Sequence, residues 1–494
     1  MQTISLKTKT GKITIEATDE DMLYMQEAIR LGRMYRDAGY ELALVGGPVR
    51  DLMLGLTPKD LDMASDAKPR ESEKILREWG ESFWDVGRKF GTLGASKTIR
   101  DGVEASVEVT TYRKDSYDPE SRKPRVAYSD RLEEDLSRRD FTVNAVAVRL
   151  PDLEVVDPYG GGDAISSKTL STPQGADVSF SDDPLRMLRA CRFASKLGFE
   201  PDAETRVAMH RMADRIQIVS AERIRDEISK ILLSGDPEKG LSLMLTSGLM
   251  RYVLPEVAAL REMDGSSRGM HKKTYDHTMT VLRRAIKFES MYGDIDAPDL
   301  TLRLAALMHD VGKPATRRFH GRKPVTFDGH ESVGADLARA RLKALRFDKK
   351  TVDDVAALVA MHMRFHGYMD GNDASGRWSD SAVRRYVREA GDLYSRLNAL
   401  TRADVTTRKT TREREFMRRM DSMEARVVEL KKQEDLDAIR PELDGVEVMQ
   451  ILGLQPGPIV GKAMKHMLEY RLEHGVIGHE AAVAELEDWA ASNM

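Results

Sequence analysis

The chain opens on a short, alternating and polar stretch, residues 1–20. Apolar positions then recur at helical spacing over about 21–38, which predicts an amphipathic helix leading into the strand ELALVGG. Further β-like runs follow at LGASKTI, VEASVEVTTYR and NAVAVRL, separated by polar, Gly-, Pro- or charge-rich connections. This part reads as a small mixed β-sheet with helices. Between two of its strands, RKDSYDPESRKPRV (113–126) is dense in charge and lacks apolar periodicity, which predicts a mobile connection. Beyond about residue 180 strand signals fade. Leu, Ala, Met, Arg and Glu recur at helical spacing, with breaks near SGDPEKG, MYGDIDAPD and HGYMDGNDASG. The fold class is therefore α+β, a sheet-bearing head followed by an elongated all-helical body. No short-period repeat or low-complexity tract interrupts it.

At 494 residues and 41% hydrophobic, the chain can bury a large core in two to four domains. No window approaches the roughly 18 apolar residues that span a bilayer, and MQTISLKTKTGKITIE lacks the apolar centre of a secretory signal. The expected location is the cytoplasm, with no membrane partner. The single cysteine, Cys191, excludes an intrachain disulfide framework, and its setting in LRACRFASKLGF is that of a helix core. Lys and Arg total 77 against 81 Asp and Glu, a net charge of -4, so a nucleic-acid partner would have to meet local basic surfaces.

Chemistry concentrates first in LVGGPVRDLMLGLTPKDLDM (44–63). Gly46 and Gly47 end a strand and let backbone N–H groups approach a ligand, while the following helix offers its positive end to phosphate. Asp60 and Asp62 stand at i and i+2, so in an extended segment both carboxylates leave the same face. Hard oxygen ligands held that close suit Mg²⁺, which also takes substrate phosphates. Glu108, on a neighbouring strand with apolar residues on both sides, is expensive to bury without a metal. Together the three acids fit a two-metal phosphoryl-transfer site. Taken singly, a GG turn or a D-x-D pair is an ordinary surface feature. The first 209 residues contain no histidine, so catalysis in this half has to rest on metal and carboxylates.

The hGG turn, twelve residues and DLD resemble the first motif of the polymerase-β-type nucleotidyltransferases, in their class II tRNA nucleotidyltransferase and bacterial poly(A) polymerase branch. RRDFTVNAVAV (138–148) resembles the second motif of that branch, and SDDPLRMLRACRFASKLGF (181–199) the motif of its neck. The resemblance implies that Asp60 and Asp62 hold the Mg²⁺ ions with Glu108 as third acid. It implies that Gly47 and Arg50 contact the incoming nucleotide, Arg139 its phosphates and Asp140 its ribose, with Gly46 and Asn144 beside them in the same motifs. Asp183 and Arg186, with Arg189 nearby, would read the Watson–Crick edge of C and A. A pure acceptor and a fixed donor fork can complement a base edge. The alternative for Arg186, Arg189 and Arg192, at three-residue steps, is a solvated or salt-bridged helix stripe. Asp182 stands where the family more often has Glu.

Seven histidines fall between residues 271 and 366. The stretches around them resemble an HD domain, a metal phosphohydrolase module. His277, His309, Asp310 and Asp404 match its usual ligand order, and His330 and His362 match additional positions; His366 either assists or lies on the surface. The resemblance implies a divalent metal and phosphatase or 2′,3′-cyclic phosphodiesterase chemistry, with a non-catalytic scaffold as the alternative. Farther on, RKTTREREFMRRMDSMEARVVELKK is either a solvated long helix with i, i+4 pairs or a tRNA-facing surface.

The expected organisation is an N-terminal extension (1–20), a catalytic head (21–175), a helical neck for nucleotide selection and RNA binding (176–265), an HD domain (266–410) and a C-terminal helical tail (411–494). The expected reaction is attack by the 3′ end of tRNA on the α-phosphate of CTP or ATP, building CCA. Poly(A) synthesis or partial CCA addition is the nearest alternative. An HD-type phosphohydrolase or nucleotide-sensing regulator is the more distant one.

Overall fold

The computed structural model describes residues 2–8, 11–58, 60–100, 102–118, 121–265, 273–319, 325–369, 378–405, 410–436 and 439–494. These form two compact units, Met1–Val253 and Leu254–Met494. Among the described residues no helix is long and apolar enough to cross a membrane.

The first unit is built on a nine-stranded mixed sheet. Its strands are β1 (Gln2–Thr8), β2 (Gly11–Ala17), β3 (Leu42–Val45), β4 (Leu61–Ser65), β5 (Ser82–Trp84), β6 (Thr92–Arg100), β7 (Val103–Thr111), β10 (Ala147–Leu150) and β11 (Glu154–Val156), in the order β2-β1-β11-β10-β3-β4-β7-β6-β5. The alternating N-terminal stretch is thus the β1–β2 hairpin, and it joins the sheet by parallel pairing of β1 with β11.

Between β7 and β10, residues Arg113–Asp118 (β8) and Ser121–Tyr128 (β9) pair antiparallel as a separate ribbon. This corrects the expectation of a mobile connection over 113–126. A two-stranded ribbon is defined by its backbone ladder, so hydropathy leaves no trace of it.

Helix α1 (Asp19–Asp37) starts at a capping box in which Thr18 and Asp21 satisfy each other's backbone N–H groups. It buries Tyr24, Ala28, Leu31 and Tyr35 at helical spacing. Gly32 is required where α1 meets β10, because a Cβ there would lie 2.5 Å from that of Leu150. Helix α3 (Pro69–Trp79) packs with α1 on the sheet face that carries the odd-numbered residues of β6 and β7, among them Leu93, Ala95, Val107 and Val109. On the opposite face, α4 (Leu132–Ser137) buries Leu132 and Leu136 against Ala43, Val45, Ala64, Ala145 and Ala147. That cover ends at β4, where the acidic residues begin. The helices Leu185–Leu197, Ala203–Arg211, Ala221–Leu232 and Pro237–Thr246 follow in the same unit. Cys191 is fully buried in the first of them.

The second unit is helical. Thr274–Glu289, Leu300–Met308, His330–Ala344, Lys349–Met361 and Tyr394–Asp404 surround a polar centre. The basic run predicted as a long helix is Thr410–Gln433, which buries Phe416, Met420, Met423, Val427 and Leu430. Gly445–Leu452, Pro458–His474 and His479–Asn493 share a core of Leu443, Val448, Ala463, Met467, Ala482 and Leu486.

Candidate active sites

In the first unit β4 and β7 run parallel with Asp62 opposite Glu108. Strand alternation buries Leu61, Met63, Val107 and Val109 and turns Asp62 and Glu108 outward; Asp60, immediately before β4, is also exposed. Glu108 is therefore not a buried acid. Its apolar neighbours face the other side of the sheet, so the cost assigned to burying it does not arise. None of the three carboxylates has a hydrogen bond or salt bridge among the described residues. Partial desolvation in the cleft raises the pKa of Asp62. Arg139 opposes this, whereas Glu108 and Asp60 add to it. Convergent, unneutralised carboxylates of this kind form a donor set suited to a hard divalent cation.

Beside them lies a cleft of about 720 Å³ lined by nine basic and four acidic side chains, a balance that suits a polyanion. Its floor is the turn from β3 into α2 (Gly47–Met53). Gly46 has φ 73°, and a Cβ on it would lie 2.8 Å from the Arg139 guanidinium, so only glycine fits. Arg50 is buried; its Nη1 donates to Asn144 Oδ1 at 2.7 Å, and Asn144 Nδ2 donates to Asp140 Oδ1 at 2.8 Å. Asp140 Oδ2 in turn accepts from Arg189 Nε at 2.7 Å. Burial would raise the Asp140 carboxyl, but Arg189 and Asn144 overcome it and hold it well below the usual range. Four predicted residues are thus one chain of hydrogen bonds from α2 to the helix Leu185–Leu197. Asn144 is its bridge.

The predicted base readers are nearby but engaged. Arg186 Nη1 donates to Ser179 Oγ at 2.8 Å and Nη2 to the Arg138 carbonyl at 2.5 Å. Asp183 accepts from Arg223 at 2.7 and 3.3 Å. The two therefore do not pair with each other, and Arg189 and Arg192 are tied to Asp140 and Glu227. Sequence reasoning missed Arg223, together with Arg138, Lys196 and Lys230 of the lining. Lys196, four residues after Arg192 on one helix face, had a readable signal; Arg223, forty residues from Asp183, had none.

In the second unit the six predicted ligands meet. His277, His309 and Asp404 form one group and Asp310, His330 and His362 another, each with ligand atoms within 4.8 Å of one another. Asp310 stands between them: Oδ2 is 3.3 Å from His309 Nε2 and Oδ1 is 3.5 Å from His330 Nε2. His309, His330 and His362 direct Nδ1 at the carbonyls of Ala306, Phe327 and Val359, at 2.8, 2.9 and 2.7 Å. A carbonyl only accepts, so each Nδ1 carries its proton and leaves Nε2 directed at the centre. Imidazole Nε2 atoms and carboxylate oxygens converging in this way, with His277 Nε2 2.9 Å from Asp404 Oδ1, form a donor set that suits a divalent metal. Burial pushes His362 down to about 4, with His309 adding to the effect, so it is neutral at pH 7 as a ligand must be. Burial acts to raise Asp310, but His309 and Lys313 overcome it and hold that carboxyl well below its ordinary value. Lys313 Nζ is 2.6 Å from Asp310 Oδ2, an i, i+3 contact that the sequence reading passed over. His366 belongs to neither group and packs on Phe416, their ring centres 5.1 Å apart. His271 and His320 lie outside the described residues.

Comparison with known proteins finds three matching segments of the chain. Residues 42–171 match the family described as "Poly A polymerase head domain". Residues 198–260 match "Probable RNA and SrmB- binding site of polymerase A", and residues 274–426 match "HD domain". The CC-adding tRNA nucleotidyltransferase of Thermus thermophilus is 36% identical over 90% of this chain and 93% of its own length. The A-adding tRNA nucleotidyltransferase of Deinococcus radiodurans is 32% identical over 91% of this chain and 95% of its own. The structure of the Bacillus stearothermophilus CCA-adding enzyme in complex with CTP superimposes with a TM-score of 0.63 over 95% of this chain and 98% of that one, at 23% identity.

Proposed function

The chain belongs to the tRNA nucleotidyltransferase and poly(A) polymerase family with an HD domain, and from that premise we propose that it adds or repairs the 3′-terminal CCA of tRNA from CTP and ATP without a nucleic-acid template. The observation that carries this reading is the register pair Asp62–Glu108 beside Asp60, at the edge of a cation-lined cleft. We assign catalysis to the head (21–175) and nucleotide selection to the neck (176–265).

Asp60, Asp62 and Glu108 would hold Mg²⁺, which when bound would supply activation of the attacking 3′-hydroxyl and neutralisation of the leaving pyrophosphate. The backbone at Gly46 and Gly47, with Arg50 and Arg139, holds the nucleotide and its phosphates, while Asp140 faces the ribose. Asp183 and Arg186 select the base. Each carboxylate oxygen has two lone pairs, so the ion pair with Arg223 leaves Asp183 able to accept from the amino group of C or A. A mismatched edge leaves a buried polar group unpaired, at about 1–3 kcal/mol. His277, His309, Asp310, His330, His362 and Asp404 would hold a divalent metal at the HD site, where it would supply phosphoester hydrolysis.

The test is incorporation of labelled CTP and ATP into tRNA transcripts ending at the unpaired base before CCA. Wild type incorporates both, and Asp60→Ala neither; absence of incorporation by folded wild type overturns the reading. A second reading is favoured by the relatives matched along nearly the whole chain, which carry the names CC-adding and A-adding. In it this protein adds only part of the end.

A further inference from the structure

The row that contains Asp62 and Glu108 continues across the sheet. Glu108 on β7 is opposite Gly94 on β6, and Gly94 is opposite Trp84 on β5, so Asp62, Glu108, Gly94 and Trp84 lie side by side on one face. Gly94 is a gap in that row, and Trp84 fills it. A Cβ on Gly94 would fall 2.0–2.4 Å from Cε2, Nε1 and Cζ2 of the indole, which therefore lies across the glycine backbone on the side of Glu108. Trp84 stays half-exposed there, and Ser106, Thr110 and Thr92 make the rest of this face polar and partly open. The apolar face of the same strands is covered by α3.

In-line displacement places the attacking hydroxyl and the departing pyrophosphate on opposite sides of the phosphorus. The nucleotide cleft occupies the flank of the acids toward β3 and α2, where Gly46, Gly47 and Arg50 stand. The hydroxyl must then arrive from the flank toward β6 and β5, where Trp84 stands about two strand spacings, roughly 10 Å, beyond Asp62's other neighbour Glu108 in backbone terms or nearer. The arriving group is the unpaired 3′ end of an RNA, whose exposed bases stack on aromatic side chains. Exposed Lys89 follows on the same connection and adds positive charge for the RNA backbone.

We propose that Trp84 is the stacking platform for the unpaired 3′-terminal base of the acceptor RNA, holding its hydroxyl beside Glu108. The proposal rests on the transferase reading. Its test is steady-state addition of CMP to a tRNA transcript ending at the unpaired base, with the Kd of the same transcript measured without nucleotide. Trp84→Ala and Trp84→Leu raise KM and Kd for the transcript about tenfold or more, with KM for CTP unchanged. Trp84→Phe, which keeps a π face, stays near wild type, and the Kd penalty disappears on a blunt acceptor stem. An unchanged transcript Kd in Trp84→Leu, or a loss equal for blunt and single-stranded ends, overturns the proposal. Failure of wild type to incorporate CMP instead sinks the transferase reading, which the nucleotide-free Kd keeps separate.

Discussion

Asp62 on β4 and Glu108 on β7 are register partners in a parallel strand pair, their side chains turned together away from the apolar core. That relationship brings together carboxylates 46 positions apart, to which the proposed function assigns the two metal ions. Asp62→Ala removes a shared ligand, and several kcal/mol of transition-state stabilisation goes with it. The expected loss in kcat is about 10³-fold or more. Glu108→Ala lowers kcat with little change in KM for CTP, and single-turnover rates check both.

Arg223 holds Asp183 through both carboxylate oxygens. Arg223→Ala leaves that carboxylate with the Leu185 N–H as its remaining hydrogen bond among the described residues, so discrimination against UTP and GTP falls about tenfold. Arg223→Lys recovers the charge but not the fork and restores part of the selectivity. The ratio of kcat/KM for CTP to that for UTP is the readout.

Asp310 stands between the two ligand groups of the HD site, whereas His362 belongs to one. Asp310→Ala therefore releases metal from both groups, and His362→Ala from one, read as metal per chain by elemental analysis. Nucleotide addition persists in both variants, because the head uses its own carboxylates.

Glu434 sits between Arg384 and Arg471, with oxygens 2.8 and 2.6 Å from their nitrogens and all three side chains buried. Burial would raise its pKa, but the two arginines outweigh that and lower it. The folded state thus binds the proton less well than the unfolded state. The stabilisation is complete above the unfolded value, about 4.3, and is lost as pH falls through the lower folded value. Glu434→Ala removes the carboxylate between the two arginines, leaving Arg384 its bonds to the Leu472 and Glu473 carbonyls and Arg471 the more distant Glu442, and costs about 1–3 kcal/mol at pH 7. The difference from wild type narrows below about pH 4, measured by denaturant midpoints.

The parts of this molecule legible in its sequence are those with a local rule. Alternation placed Asp60 and Asp62 on one face, and the order of His277, His309, Asp310, His330, His362 and Asp404 named a ligand set that folding assembles. Other features depend on distant pairing. Glu108 looked buried because neighbouring letters do not say which face of the sheet is packed. The β8–β9 ribbon is held by backbone bonds that hydropathy does not encode. Arg186 and Asp183 were read as a donor fork and an acceptor for a base edge, and their contacts with Ser179, Arg138 and Arg223 come from residues the motif does not name. The division of the HD ligands into two groups around Asp310 likewise emerges only when the helix ends meet.

The most direct test of templateless CCA synthesis is to sequence the 3′ ends made from three tRNA transcripts, ending at the unpaired base, after one C and after two, with CTP and ATP together. The account predicts completion of all three to CCA and no extension past the terminal A. Products that stop at CC, addition of A only to the CC-ended transcript, or long A tracts would contradict it.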